Sequence, residues 1–345
     1  APELDSIFQQ ARTLAQHSPN PLKLFSALEG LHVYWRQSCQ WQATSALETE
    51  MLEIVERSQD VERMRSVYHY MGVSHFHQGQ FEGAYDCFQR ALADFDSQSS
   101  AVNGAVQSNS ANVATLCRRV QTLLLLGYPD RAQANSDIVL ALARRIARPI
   151  ERVIAFEFAI WSAHDRRQYG ELSRLLEEHT AIVNQFGFPE YVASNMILRG
   201  FLEAYQGESE PGIELMREGL AAWRAFGVLH FLPYVSAWLA EAYGWADRFN
   251  EGLVLLDELV AMAEEAENKF WYAEILRLRG EFLLASGAPV TDAEAAYRKA
   301  IEVARRQAAQ PLPGRQAQLH RRPRSLHPQP RWRLGRRTKR IDRRH

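Results

Sequence analysis

The sequence predicts an all-α fold, a right-handed solenoid of about a dozen helices paired into antiparallel hairpins. Three observations predict it. Small or apolar residues recur at a fixed spacing of 40 residues. Helix-breaking glycines and prolines separate the repeats. Apolar residues within the repeats keep helical spacing, and no segment shows a convincing period-2 strand pattern.

The repeat is most regular over five units, whose central residues lie 40 positions apart at Val120, Ile160, Gly200, Ala240 and Gly280. Small side chains at such positions let the axes of two antiparallel helices approach, while bulky neighbours fill the space on either side. A related unit precedes them, with small residues at Gly72, Gly79, Ala84 and Ala91. A more degenerate unit begins at Gly30. The pattern therefore predicts six or seven hairpins, because each unit of about 40 residues supplies two helices.

Helix breakers fall where one predicted helix ends and the next begins. They are Arg148-Pro149, Gly187-Phe188-Pro189, Gly227 and Leu232-Pro233. Glycine is favoured just past the end of a helix and proline in its first turn. Between the breakers, segments such as 251–266 (EGLVLLDELVAMAEEA) carry apolar residues at helical spacing with acids on the other face.

The spacing resembles the tetratricopeptide repeat, with helices lengthened from a unit of about 34 residues. Several segments are also similar, in order, to the C-terminal repeat region of large bacterial multidomain regulators. In that group a class III adenylate/guanylate cyclase domain, or a DNA-binding domain, precedes an AAA-type signalling ATPase and then the repeats. The similar segments are Ala1-Pro2-Glu3-Leu4, 126–132 (LGYPDRA), 197–201 (ILRGF), 239–244 (LAEAYG) and 274–281 (EILRLRGE). The resemblance covers residues 1–306.

The resemblance implies a parent protein and a role, but it supplies no catalytic residue. No G-x-x-x-x-G-K-[ST] loop occurs in the chain, and no cyclase metal-binding carboxylates can be assigned. We therefore expect a noncatalytic protein-interaction and regulatory module of a larger bacterial signalling protein, with no cofactor. Two alternatives stay open: a fragment of a nucleotide cyclase or signalling ATPase whose catalytic domains lie upstream of Ala1, or the sensor arm of a transcription activator.

Charge and composition divide the chain after Arg306, where the family pattern stops. Residues 311–345 contain 12 basic residues and one acid, whereas residues 1–310 contain 28 basic and 40 acidic residues, a net charge of −12. We expect a repeat domain over 1–306 and a disordered, basic, Pro/Arg-rich tail over 307–345. The tail also has the composition that a GC-rich gene gives in a shifted reading frame, so a frameshifted terminus is one hypothesis.

The composition of the tail and the spacing of the cysteines indicate which partners and which cellular location to expect for the protein. Five prolines exclude a long recognition helix in the tail, so we expect nonspecific adhesion to nucleic acid rather than specific recognition. Cys39, Cys87 and Cys117 are far apart, which argues against disulfides and zinc and suits the cytoplasm. The longest apolar runs are too short to span a membrane.

The histidines and the adjacent acids predict neither a metal site nor a catalytic site. His75 and His77 would point in different directions on a helix, and His69 shares no tight face with them, so no metal site is expected. Adjacent acids such as Glu177-Glu178 and Glu264-Glu265 do not converge on a helix and are typical of a solvated face. No nucleophile–base arrangement can be singled out.

The concave face is the predicted binding site, because the first helix of each tetratricopeptide hairpin lines it. Exposed aromatics among charged residues are typical of peptide-binding grooves. For Trp161 and Phe201 the alternative is packing between neighbouring hairpins. We expect Glu157 and Arg277 to be solvated, and the partner to be a protein or peptide, with the parent's own ATPase or effector domains as one candidate. The register places ten residues there: Arg118, Gln121, Glu157, Trp161, Phe201, Tyr205, Glu241, Trp245, Arg277 and Glu281.

Overall fold

The computed structural model describes residues 2–18, 20–93, 110–227, 229–266, 268–310 and 312. Over these residues the chain forms fifteen α-helices and no β-strand, which confirms the all-α prediction. None of these helices is long and apolar enough to cross a lipid bilayer. Residues 313–345 lie outside the described part of the chain, so the predicted division into a 1–306 domain and a 307–345 tail stays a prediction.

The helices run in chain order as a series of antiparallel neighbours. Their bounds are α1 (Pro2–Gln16), α2 (Pro21–Gln37), α3 (Trp41–Ser58), α4 (Val61–His77), α5 (Phe81–Ala91), α6 (Ser110–Leu125), α7 (Pro129–Ala143), α8 (Pro149–Asp165), α9 (Tyr169–Phe186), α10 (Pro189–Tyr205), α11 (Ser209–Ala225), α12 (Leu232–Trp245), α13 (Phe249–Glu265), α14 (Tyr272–Ala285) and α15 (Val290–Arg306). Helix α1 precedes seven hairpins, α2–α3 to α14–α15. The predicted breakers Pro149, Pro189 and Pro233 all lie in the first turn of a helix.

The 40-residue repeat corresponds to the first helix of five successive hairpins. Its centres lie on α6, α8, α10, α12 and α14, and all five are buried. Each helix packs on the next in sequence, and successive first helices, such as α6 with α8 and α10 with α12, also contact one another. This pattern of neighbour contacts is the solenoid that the spacing predicts.

The closest helix pair is α10–α11, where two glycines face each other. A Cβ atom added to Gly200 would lie 2.5 Å from the carbonyl oxygen of Gly212, and one added to Gly212 would lie 2.4 Å from that of Gly200. Both distances are far below van der Waals contact. Only glycine therefore fits at this crossing, as the small-residue pattern predicts.

Three first helices are enclosed on every side. Residues 115–125 of α6, 155–165 of α8 and 232–244 of α12 are all buried. Aromatic rings fill the space between α8 and α12: Trp161 lies 5.4 Å from Tyr234 and 6.4 Å from Trp238, measured between ring centroids. A helix that is buried all round belongs to the centre of a globular core rather than to the wall of an open groove.

The enclosure arises because the superhelix meets itself. The amide of Lys269, in the loop before α14, donates a hydrogen bond of 2.6 Å to the carbonyl oxygen of His77 at the end of α4. Next to it, Nδ1 of His77 lies 3.2 Å from Oδ1 of Asn268, and the rings of Phe76 and Phe270 lie 5.0 Å apart. The second and seventh hairpins are thus joined directly.

The chain beyond α15 forms a second part of this seam. The Gln307 side chain donates a hydrogen bond of 2.7 Å to the carbonyl oxygen of Lys269. The backbone amide of Gln310 donates a hydrogen bond of 2.7 Å to the carbonyl oxygen of Leu125, at the end of α6. Leu312 is buried against the main core. Packed chain therefore extends past Arg306, where the repeat pattern ends.

The glycine crossing gives a direct test of the close packing. We expect Gly200→Ala to lower the free energy of unfolding by about 1–3 kcal/mol, because the added methyl group overlaps the α11 backbone. Gly170, at the start of α9, has no atom within 4 Å of an added Cβ and serves as the matched control. Gly170→Ala should be neutral or stabilise by up to about 1 kcal/mol. Urea unfolding of both variants measures the difference, and equal effects would contradict the crossing.

Candidate binding interior

The ten predicted groove residues lie in pairs on α6, α8, α10, α12 and α14, the first helices of the last five hairpins. Seven of them are buried, and only Tyr205, Trp245 and Glu281 are partly exposed. The expectation that Glu157 and Arg277 are solvated is wrong, since their exposed fractions are 5% and 8%. The cause is the closure of the superhelix, which turns the predicted concave surface into an interior.

Trp161 and Phe201 belong to the core, as the alternative interpretation has it. Trp161 is 1% exposed and Phe201 is fully buried. Trp161 packs edge-on against Phe231, with ring centroids 4.7 Å apart, and Phe201 lies 4.7 Å from the imidazole of His164. These rings are surrounded by protein and are not available to a partner.

Glu157 is an acid buried in the middle of α8. Its Oε1 accepts a hydrogen bond of 2.5 Å from the Ser194 hydroxyl on α10, and no cation pairs with it among the residues described. Burial raises the pKa of Glu157 to about 8, although the Ser194 hydrogen bond opposes the rise. The carboxyl is therefore mostly protonated at neutral pH, which removes the cost of an unpaired buried charge.

Arg277 is buried on α14 between two acids of its own helix. Its guanidinium donates to Glu274 from Nε and Nη2, both at 2.7 Å, and also to Glu281. Burial lowers the pKa of Arg277, but the charges of Glu274 and Glu281 raise it by more. Burial likewise raises the pKa of Glu281 against the opposing effect of Arg277. The arrangement is a satisfied ion-pair network.

Arg118 on α6 is buried without any such network. Its guanidinium carbon lies over three phenyl rings, at 4.5 Å from Phe231, 5.0 Å from Phe158 and 5.9 Å from Phe76. Nη1 is sealed from solvent and has no hydrogen-bond partner among the described residues, and the same holds for Oε1 of Gln121 one turn further on. Burial, and then the charge of Arg36, lower the pKa of Arg118 to about 9.

Three histidines near Arg118 line the same interior. His77 stacks on Trp41 at a centroid distance of 4.6 Å and meets His230 edge-on at 5.2 Å. His69 approaches the Thr115 hydroxyl at 2.9 Å. Burial lowers the pKa of all three, to about 3 for His69, so they are neutral at pH 7. Sequence reasoning could not find His230, which stands alone in sequence and reaches His77 only through closure.

The histidines do not form a metal centre within the described ranges, where no group of three His, Cys, Asp or Glu side chains converges. A second polar cluster links α2, α3 and α4: Oε1 of Glu48 accepts from the Ser74 hydroxyl at 2.5 Å and lies 2.8 Å from Nε2 of His32. The carboxylate lies between the hydroxyl and the imidazole, so the order of the three groups differs from a Ser–His–acid triad, in which the imidazole contacts the hydroxyl. All three side chains are buried.

A row of partly exposed aromatic rings lies at one end of the inner helices. Tyr205 at the end of α10 is 4.4 Å from Tyr169 and 5.6 Å from Trp245 at the end of α12, between ring centroids. All three side chains are partly exposed. We call these residues the aromatic row. Trp and Tyr in such half-buried positions are the side chains that most often dominate protein interfaces.

An outer cleft of about 420 Å³ was not predicted from the sequence. It lies between α11, α12 and α13 and is lined by apolar side chains and by both charges, including Arg217, Arg224, Glu251 and Glu258. The hydroxyl of Ser236 at its wall is sealed from solvent and has no hydrogen-bond partner in the described part of the chain. Helical periodicity could have marked the residues as outward-facing, but it could not have shown that the three helices part there.

The buried acid leads to a prediction about pH. The Glu157 carboxyl has a pKa of about 8 in the folded chain and 4.5 when unperturbed. Between pH 4.5 and pH 8 the folded state keeps the proton that the unfolded state releases. The stability that the protonated carboxyl contributes at low pH is therefore lost as the pH rises from 4.5 through 8. Glu157→Gln removes this dependence. We expect its stability relative to wild type to rise by up to about 1.4 kcal/mol per pH unit from pH 5 to pH 8. Urea unfolding across this range measures it, and a pH-independent difference would show that Glu157 is solvated.

The Arg277 network leads to a second prediction. Arg277→Glu places a fourth carboxylate among Glu241, Glu274 and Glu281, so we expect a loss of at least about 3 kcal/mol in the free energy of unfolding. The exposed pair of Arg298 and Glu294 on α15, 3.2 Å apart, supplies the control. Arg298→Glu should cost less than about 1 kcal/mol. Similar small losses in both variants would contradict the burial of Arg277.

Comparison with known proteins agrees with this architecture. Residues 66–96, most of α4 and all of α5, match the tetratricopeptide repeat. An uncharacterized protein, R02095, of Rhizobium meliloti (strain 1021) is 21% identical over 284 residues, which cover 81% of this chain and 28% of that protein. The chain thus spans less than a third of this relative's length.

One solved structure shares this fold. A Rap protein complexed with competence and sporulation factor superimposes with a TM-score of 0.66 at 13% identity, over 86% of this chain and 79% of the Rap chain. A signal transduction ATPase with a tetratricopeptide repeat sensor, PH0952 from Pyrococcus horikoshii, gives a TM-score of 0.43 at 12% identity, over 88% of this chain and 46% of that one. From the repeat match and the likeness to the Rap fold, this chain is an all-α solenoid of tetratricopeptide-like helical hairpins.

Proposed function

We propose that this chain is a noncatalytic regulatory module that binds a protein or peptide through the aromatic row of Tyr169, Tyr205 and Trp245. The row carries the proposal because it combines ring area with partial exposure at the ends of two neighbouring inner helices. Aromatic anchors of this kind supply most of the binding energy in many protein interfaces. Tetratricopeptide-like repeats in general bind proteins or peptides, which favours this class of partner.

A regulatory role follows from how the solenoid is closed. A partner that binds at the ends of α10 and α12 would change how these two helices pack. It would therefore change the curvature of the solenoid, which brings Lys269 to His77. Because each repeat contacts mainly its neighbours, small rotations add along the array. Binding could thus be transmitted to another domain as a change between closed and more open forms, provided that the partner binds the two forms with different affinity.

The parent protein is proposed to be a larger bacterial signalling protein. Two observations support this: the resemblance of residues 1–306 to the repeat region of multidomain regulators, and the small share of the Rhizobium relative that the chain covers. A cyclase, a signalling ATPase or a transcription activator would each supply the effector. A cytoplasmic location is part of the proposal and is supported by three cysteines that form no disulfide.

The proposal is tested by selecting binders from a displayed library of random twelve-residue peptides with the full chain. We expect enriched peptides whose affinity falls at least about tenfold in the Tyr205→Ala/Trp245→Ala variant, since the row supplies the anchors. Tyr128→Ala is the matched control, because Tyr128 is 49% exposed and lies outside the row. Circular dichroism and thermal melting of each variant check that the fold is retained.

Two results would contradict the proposal. One is a library from which no peptide is enriched above an unrelated helical protein. The other is a set of peptides whose affinities fall equally in the row variant and in Tyr128→Ala, which would assign binding to a different surface.

A further inference from the structure

Arg118 has a charge that the folded chain does not compensate. It is 7% exposed, it forms no ion pair with a described residue, and its Nη1 is buried without a hydrogen-bond partner among those residues. The groups around its guanidinium are the rings of Phe76, Phe158 and Phe231, which are neutral. Buried charges in proteins are normally paired, so this one is an exception that requires a cause.

The other buried arginines of the described chain have acceptors for their guanidinium groups. Three arginines are buried among the residues described: Arg118, Arg119 and Arg277. Arg277 pairs with Glu274 and Glu281. Arg119, the next residue along α6, donates to Oδ1 of Asn135 at 2.9 Å and to Oε1 of Gln89 at 2.8 Å. Only Arg118 lacks an acceptor, although the same helix supplies two to its neighbour.

The titratable neighbours of Arg118 do not provide a negative charge. Arg36 is a second cation close enough to lower the pKa of Arg118 and of the three interior histidines. His69, His77 and His230 are neutral because burial lowers their pKa. Burial raises the pKa of the Cys117 thiol to about 12, so it is neutral as well. Among the described residues, the Glu48 carboxylate offsets the charge of Arg36, but no carboxylate acts on the pKa of Arg118.

Phenyl rings offset only part of the loss of water around a guanidinium, because they interact with its face and leave its N–H groups without acceptors. Nη1 of Arg118 therefore still lacks an acceptor among the described residues. Its planar fork fits a carboxylate, which accepts two parallel hydrogen bonds and neutralises one charge. A phosphate dianion would leave a negative charge among phenyl rings, so the surroundings favour the carboxylate.

We propose that Arg118 is the binding site for a carboxylate group of the ligand, held in the interior of the closed superhelix. This inference deepens the proposed peptide-binding function by naming the chemistry of one ligand group. The carboxylate would belong to an acidic side chain or to the C-terminus of a peptide. The inference does not depend on the aromatic row, because a small carboxylate anion alone is sufficient to test binding at Arg118.

The test is the thermal unfolding of the full chain with small anions at constant ionic strength and pH 7. The probes are acetate, the blocked peptide Ac-Gly-Glu-Gly-NH2, its glutamine counterpart and inorganic phosphate, each compared with chloride. We expect acetate and the glutamate peptide to raise Tm in proportion to ln(1 + [L]/Kd), where [L] is the probe concentration, by about 2 °C at ten times the dissociation constant. The glutamine peptide should have no effect beyond that of chloride.

Two variants show whether the effect belongs to Arg118. Arg118→Met keeps a long side chain of similar shape without the charge, so it should abolish the stabilisation by both carboxylate probes. In chloride it should melt at or above the wild-type temperature, because an uncompensated charge has been removed. Arg119→Met is the matched control: it should melt below wild type, since Asn135 and Gln89 lose their donor, yet keep the response to acetate.

Several outcomes would overturn the inference. Equal stabilisation of wild type and Arg118→Met, or no stabilisation of wild type by either carboxylate probe, removes the site. Stabilisation by phosphate alone removes the carboxylate assignment. Melting of Arg118→Met well below wild type in chloride shows that the charge supports the fold. None of these outcomes affects the displayed-peptide test, so failure here and failure of the proposed function are distinguishable.

Discussion

The hydrogen bond from the Lys269 amide to the His77 carbonyl joins residues far apart in sequence, and the character of the interior depends on this contact. An open solenoid would leave the first helices facing water along a groove. Here the second and seventh hairpins meet, and the chain after α15 adds a second contact through Gln310 and Leu125. Helices α6, α8 and α12 are consequently buried all round over most of their length, and most of the polar side chains that they carry there are separated from solvent.

Closure removes water from charged groups on the inner helices, and the cost of burying the charge is met differently at Glu157, Arg277 and Arg118. Glu157 keeps its proton, since burial raises its pKa. Arg277 is paired by two acids of its own helix. Arg118 has neither solution and rests against phenyl rings instead. Residues that break the rules of polar burial are often functional, which is why Arg118 is proposed as the site of a ligand carboxylate.

The fold could be predicted from the sequence because its determinants are local and repeated. The 40-residue spacing, the glycine crossing at Gly200 and the prolines at helix starts each depend on residues that are close in the chain. The predicted groove residues lie on the expected helices for the same reason. Their exposure could not be predicted, because closure depends on small rotations summed over several hairpins. The contact between His77 and His230, and the lack of an acceptor at Arg118, exist only once that sum brings distant loops together.

Amide hydrogen exchange at Lys269 tests closure most directly. This amide lies in a loop, and its acceptor is the His77 carbonyl, so its protection depends on the long-range contact and not on a helix. If the superhelix is closed, the amide of Lys269, and likewise that of Gln310, exchanges at least about 100-fold more slowly than an unprotected amide. Exchange of both amides at the unprotected rate, while α4 and α14 stay protected, would show an open solenoid and contradict the enclosed interior.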